Sequence, residues 1–137
     1  MPTTRLQQFA LAVVLSALAA RTASAACVNR FLARQEGPRQ VITLLTGKLT
    51  FQEAQALMQN IKDKKAPPLA WVDAKGRVVA TQFGDLKIVR PMPVGCDGRS
   101  SGVVLIVTFG ASFTPTKELL VKLDDATTVS FEQQANQ

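Results

Sequence analysis

"LAWVDAKGRVVATQF", Leu69 to Phe83, decides how the rest of this chain is read. Asp73-Ala74-Lys75-Gly76 suits a type I turn closed by a glycine in the left-handed region. Trp71 and Val72 on one side and Val78 and Val79 on the other are residues that favour a pleated, half-buried strand. The stretch is predicted to be a β-hairpin.

Toward the C-terminus the same punctuation continues. Gly84-Asp85 makes another turn before the strand "LKIVR" (86–90). "PMPVGCDGRSSG" (91–102) has no periodicity and reads as a loop. "VVLIVTF" (103–109) is a nearly unbroken apolar run, as expected of a strand buried on both faces. After a second loop, "GASFTPT" (110–116), "ELLVKL" and "TTVSFEQ" form a last hairpin across Asp124-Asp125-Ala126.

Toward the N-terminus, "KDKKAPP" (62–68) is a solvated connector, because Pro67 and Pro68 cannot continue a helix. Before it lies the one helix, near residues 50–62. Thr50 stands three residues ahead of Glu53, the spacing of a capping box. Phe51, Ala54, Leu57, Met58 and Ile61 then fall on one face at helical spacing. "RQVITLL" (39–45) is a strand, and residues 26–38 form a mixed segment that ends at Gly37-Pro38.

About seven short strands and one helix, with frequent turns, predict a mainly β fold. Its expected form is a small antiparallel β-sandwich, with an immunoglobulin-like arrangement among the options, plus one added amphipathic helix. The alternative is an α+β fold with one helix on a single antiparallel sheet. An antibody-type domain is disfavoured, because Cys27 precedes any clear strand and Cys96 sits in a loop. No motif is distinctive enough to carry a family resemblance.

Residues 1–25 are expected to be a secretory signal peptide. Arg5 and the free amine precede "FALAVVLSALAA" (9–20), a 12-residue apolar run. That is short of the ~20 residues needed to span a bilayer. Ala23 and Ala25 supply an A-x-A pattern, with cleavage after Ala25. Lipidation at Cys27 is the lesser alternative, since Ser24 replaces the expected apolar residue and Arg21 and Thr22 interrupt the apolar run. Residues 26–137 then form a single β-rich domain, whose net charge falls from +6 to +4 with the loss of Arg5 and Arg21. Localisation is expected to be periplasmic or extracellular, in soluble form.

Cys27 and Cys96 are the two cysteines of the chain. In an exported protein they are expected to pair. Closing a loop of that length would stabilise the fold by roughly 4 kcal/mol in the chain-entropy picture.

The sequence contains no histidine. Histidine-dependent nucleophile activation, histidine general acid–base chemistry and histidine-ligated metal sites are therefore excluded. There is no Cys-x-x-Cys and no glycine-rich phosphate loop. Asp124-Asp125 reads as a solvated turn, and Ser100-Ser101, beside Asp97 and Arg99, lacks a desolvated lysine to activate it. No catalytic residue, metal or cofactor is predicted, and a small histidine-independent hydrolase is the remote alternative. Nucleic acid is disfavoured as a partner, with one Trp and no Tyr to stack on bases.

The expected function is a non-catalytic binding or structural module, stapled by Cys27–Cys96, whose partner is another envelope or extracellular protein or polymer. The candidate contact loop is 91–102, with Arg90, Met92, Asp97 and Arg99 offering contacts on a scaffold stiffened by Pro91 and Pro93. A protease inhibitor using the rigid 90–99 segment is the alternative. A purely structural role would use "TTVSFEQ" as an exposed edge strand.

Overall fold

The computed structural model describes residues 28–93 and 101–134. The expected signal segment, Cys27, Cys96, Asp97, Arg99 and Ser100 lie outside them. In chain order the elements are β1 (Asn29–Glu36), β2 (Arg39–Thr46), α1 (Phe51–Lys62), β3 (Ala70–Val72), β4 (Val78–Thr81), β5 (Lys87–Met92), β6 (Gly102–Phe109), β7 (Glu118–Asp124) and β8 (Thr127–Gln133).

The mainly β fold with one helix is as the sequence implies. The finer arrangement differs. All eight strands join one sheet in the order β4-β3-β7-β8-β1-β2-β6-β5, rather than dividing into two. The single-sheet alternative is the closer description, except that the sheet is mixed. β8 runs parallel to β1, with Arg30 opposite Glu132 and Phe31 opposite Gln133, while the remaining pairs are antiparallel. β8 therefore lies between β7 and β1, so "TTVSFEQ" is not an edge strand. The mixed segment before Gly37 also proves to be a full strand. Its alternation was faint because only Phe31 and Ala33 of β1 turn toward the core.

Gly37 (φ 58°) and Pro38 join β1 to β2 in the two-residue connection that primed turns permit, with Glu36 directly opposite Arg39. β2 alternates as a half-buried strand should: Gln40, Ile42, Leu44 and Thr46 are buried, and Val41, Thr43 and Leu45 are half-buried. β7 and β8 contribute Leu119, Val121, Leu123, Val129 and Phe131 to the same core.

α1 begins as its sequence dictates. The Thr50 hydroxyl accepts from the Glu53 N–H at 3.1 Å, and the Glu53 carboxylate accepts from the Thr50 N–H at 3.0 Å. The helix packs against β5 and β6. Ala54 is fully buried, and Phe51, Leu57, Met58 and Ile61 are partly buried against the core. At its C-terminus the Lys65 N–H reaches the Asn60 carbonyl (2.8 Å) and the Lys64 N–H reaches that of Ile61 (3.1 Å). This is a Schellman motif in which Lys64, at φ 59°, occupies a left-handed position that usually holds glycine.

The two ends of the sheet are halves of one bent run. β4 pairs with β3 and β5 pairs with β6. Between them the Gln82 N–H donates to the Leu69 carbonyl (2.8 Å), whereas the Phe83 N–H donates to the Thr108 carbonyl (2.7 Å). Gln82 is also bridged to Phe109 of β6. The chain thus passes from one edge of the sheet to the other at residues 82–83, and the sheet closes on itself there. Both halves carry an irregularity, at Val79 in β4 and Val89 in β5, which lets each strand bend away from its partner.

Candidate functional site

The β3–β4 hairpin is held by its own turn. Asp73 Oδ1 accepts from the N–H groups of Lys75 and Arg77, each at 2.9 Å, and Oδ2 accepts from Arg77 Nε at 3.0 Å. The Arg77 N–H contributes most to holding the Asp73 carboxyl below the ordinary carboxylate range. The Lys75 N–H and the Arg77 guanidinium add to this, and partial desolvation opposes it. Gly76, at φ 82°, supplies the left-handed residue that the sequence called for.

Cross-strand register sorts the hairpin's side chains onto two faces. Trp71, opposite Ala80 and Val121, faces the core. Val72, opposite Val78 and Leu120, lies on the other face of the sheet and is itself buried. Beyond β6 the chain crosses beside this hairpin and places Phe113 against Trp71, with ring centroids 5.1 Å apart and planes at 59°. Trp71 in turn meets Phe109 edge-on at 6.1 Å. The result is a groove of ≈ 430 Å³ lined by Trp71, Val72, Val79, Phe113, Pro115 and Leu120. Asp73 and Glu118 stand at its rim. The Glu118 carboxylate accepts from the Ser130 hydroxyl at 3.0 Å and has no cationic partner among the described residues.

Three separate segments build this groove: the β3–β4 hairpin, the 113–116 crossing and the start of β7. Its volume lies within the ≈ 300–1,000 Å³ range of ligand sites. Phe113 is 55 % exposed and Val78 59 %. Phe83 is as exposed at 52 %, but the Arg39 guanidinium covers its ring at 3.5 Å, a cation–π contact that already occupies that face. A depression of ≈ 570 Å³ between Ile61 and Pro68 is lined by one continuous piece of chain, so no distant groups converge on it.

The residues singled out in sequence fall elsewhere. Arg90 is exposed on β5, opposite Val104. Met92 is only 8 % exposed, paired with Gly102, so burial removes it from the contact surface. Pro91 and Met92 are strand rather than loop, because the β5–β6 ladder runs on to Gly102. Asp97 and Arg99 lie outside the described residues, as do both cysteines. Asp124 and Asp125 form the β7–β8 turn: Asp124 accepts from the Ala126 N–H at 2.8 Å, and Asp125 lies 3.9 Å from Lys122. Among the described residues no cluster could hold a metal ion.

Sequence reading missed Phe113 and Glu118. The one signal was an aromatic residue in the otherwise small and polar "GASFTPT", which nothing local could bury. Searches of protein families, curated proteins and solved structures find no match for this chain.

Proposed function

We propose that this protein is an exported, non-catalytic binding module that seats an apolar group of its partner in the Trp71–Phe113 groove. The observation that carries the reading is Phe113. It rests on the buried Trp71 yet leaves half of its own surface in water, where with Val79 and Pro115 it walls the groove. The chemistry of the rim supports binding rather than turnover. Asp73 is committed to the hairpin turn and held ionised, so it is a poor proton carrier near neutrality. The chain has no histidine to take that role.

Export rests on the N-terminal 25 residues, and among the described residues no helix is long and apolar enough to cross a membrane. An intact mass that begins at Ala26, with two thiols alkylated only after reduction, supports release and the Cys27–Cys96 staple. A mass that retains residues 1–25 counts against both export and release.

The groove itself is tested with the single tryptophan of the chain. The neutral probe N-phenylnaphthylamine should bind saturably and take up excitation energy from Trp71. Val79→Asp and Phe113→Ser should each weaken it by roughly tenfold, the worth of about 1.4 kcal/mol of lost apolar contact. Non-saturable partitioning, or equal binding by both variants, sinks the reading.

A further inference from the structure

Two aromatic rings are exposed among the described residues, Phe83 at 52 % and Phe113 at 55 %. Their surroundings differ in one respect. The depression at Phe83, of ≈ 390 Å³, is lined by the acids Glu36 and Asp85 together with Arg39 and Lys87. There the Arg39 guanidinium lies 3.5 Å from the ring centroid, so a cation of the same chain occupies the π face. The Trp71–Phe113 groove repeats the exposed ring and the two acids, here Asp73 and Glu118, but no lysine or arginine lines it. In a chain of net charge +6, an apolar groove with acids and no bases in its lining is complementary to an incoming cation.

The two acids contribute unequally. Asp73 is already paired with Arg77 Nε at 3.0 Å. Glu118 accepts from the Ser130 hydroxyl, a neutral partner that positions the carboxylate without cancelling its charge.

We infer that the group this groove takes from its partner protein is an arginine side chain. The inference rests on the groove reading above and names what fills it. The apolar stem lies along Val79 and Leu120, the guanidinium plane stacks on Phe113, and Glu118 is its counter-ion. Lysine fits less well, because its compact ammonium is more strongly hydrated and has no plane to stack. A free small cation is also a poorer occupant. An exposed ion pair and a cation–π contact each contribute only about two- to fivefold in affinity. A side chain carried by a protein adds its neighbours' contacts, and Val78, 59 % exposed and opposite Val72, offers them apolar surface. Two copies of so basic a chain repel each other, which disfavours self-association through this groove.

The test selects a phage-displayed library of random linear octapeptides on the full exported protein. Because the protein is itself basic, enrichment of arginine requires a local site that takes it. A synthetic enriched peptide is then compared, by fluorescence anisotropy, with a copy in which citrulline, the neutral isostere, replaces arginine. The arginine peptide should bind roughly tenfold more tightly. That ratio should shrink as NaCl rises from about 50 mM to about 500 mM, a comparison that needs no variant to fold. Glu118→Gln should lower the ratio several-fold. Phe113→Leu, which keeps an apolar side chain but removes the ring, should weaken the arginine peptide about two- to fivefold.

Enriched peptides without arginine, or a citrulline copy that binds as well as its parent, overturn the inference. An arginine peptide whose affinity neither variant changes is bound elsewhere, which refutes it too. N-acetylarginine amide binding as tightly as the peptide would make this a site for a free cation. A concentration-dependent dimer that excludes the peptide would make the occupant a second copy. Either result replaces the partner arginine. If N-phenylnaphthylamine binds and no arginine peptide is enriched, the arginine inference fails while the groove reading stands. If neither binds, both fail.

Discussion

Gln82 is an intermediate-exposure polar residue at a bend, the kind of position where substitution is ordinarily worth within about 0.5 kcal/mol. Its surroundings predict a larger cost. Gln82 Oε1 accepts the N–H of Leu69 at 3.1 Å, and Nε2 donates to the Gly84 carbonyl at 2.9 Å. Leu69 is fully buried. Gln82→Ala leaves that N–H without its acceptor, at about 1–3 kcal/mol for a buried unsatisfied donor. Loss of the exposed second bond adds about 0.5 kcal/mol. The total is about 1.5–3.5 kcal/mol, or a fall in Tm of roughly 10 °C for a domain of this size. Gln82→Glu keeps the acceptor for Leu69 and loses only the donation to Gly84, so it should cost about 0.5 kcal/mol. Urea unfolding followed by Trp71 fluorescence measures both. If the alanine variant loses less than about 0.5 kcal/mol, or if the two variants fall together, Gln82 is not what holds the closing bend.

Two further predictions concern turns. Lys64→Gly should raise stability by about 0.5–1 kcal/mol, because relief of the left-handed strain at φ 59° exceeds the entropy that glycine adds to the unfolded chain. Lys64→Ala carries the same strain and should change little; equal Tm shifts for the two variants would show that charge, not backbone, is at work. Asp73, with its folded-state pKa depressed, stabilises the fold fully above its ordinary pKa near 3.9 and loses that contribution as pH falls through the lower folded value. Unfolding in urea between pH 5 and pH 2.5 should therefore weaken less steeply for Asp73→Asn, which keeps an acceptor oxygen but cannot titrate. Parallel curves would refute the assignment.

The sequence by itself determined the local parts of this protein. The Thr50–Glu53 box, the apolar face from Phe51 to Ile61, the Asp73–Gly76 turn and the apolar run of β6 each arise from residues within a few positions of one another. Propensity, capping and alternation act at that range, so these elements were legible. The absence of histidine also bounded the chemistry without any fold. The tertiary structure alone decided that β8 returns beside β1, and that residues 82–83 carry the chain across to β6 and close the sheet. It also brings Phe113 onto Trp71, 42 positions away in the chain. Those contacts join distant segments, and their energy depends on which surfaces remain uncovered once the core has formed. The candidate groove is such a remainder. Part of its lining was visible as strand residues, but its existence depends on where three separate segments come to rest.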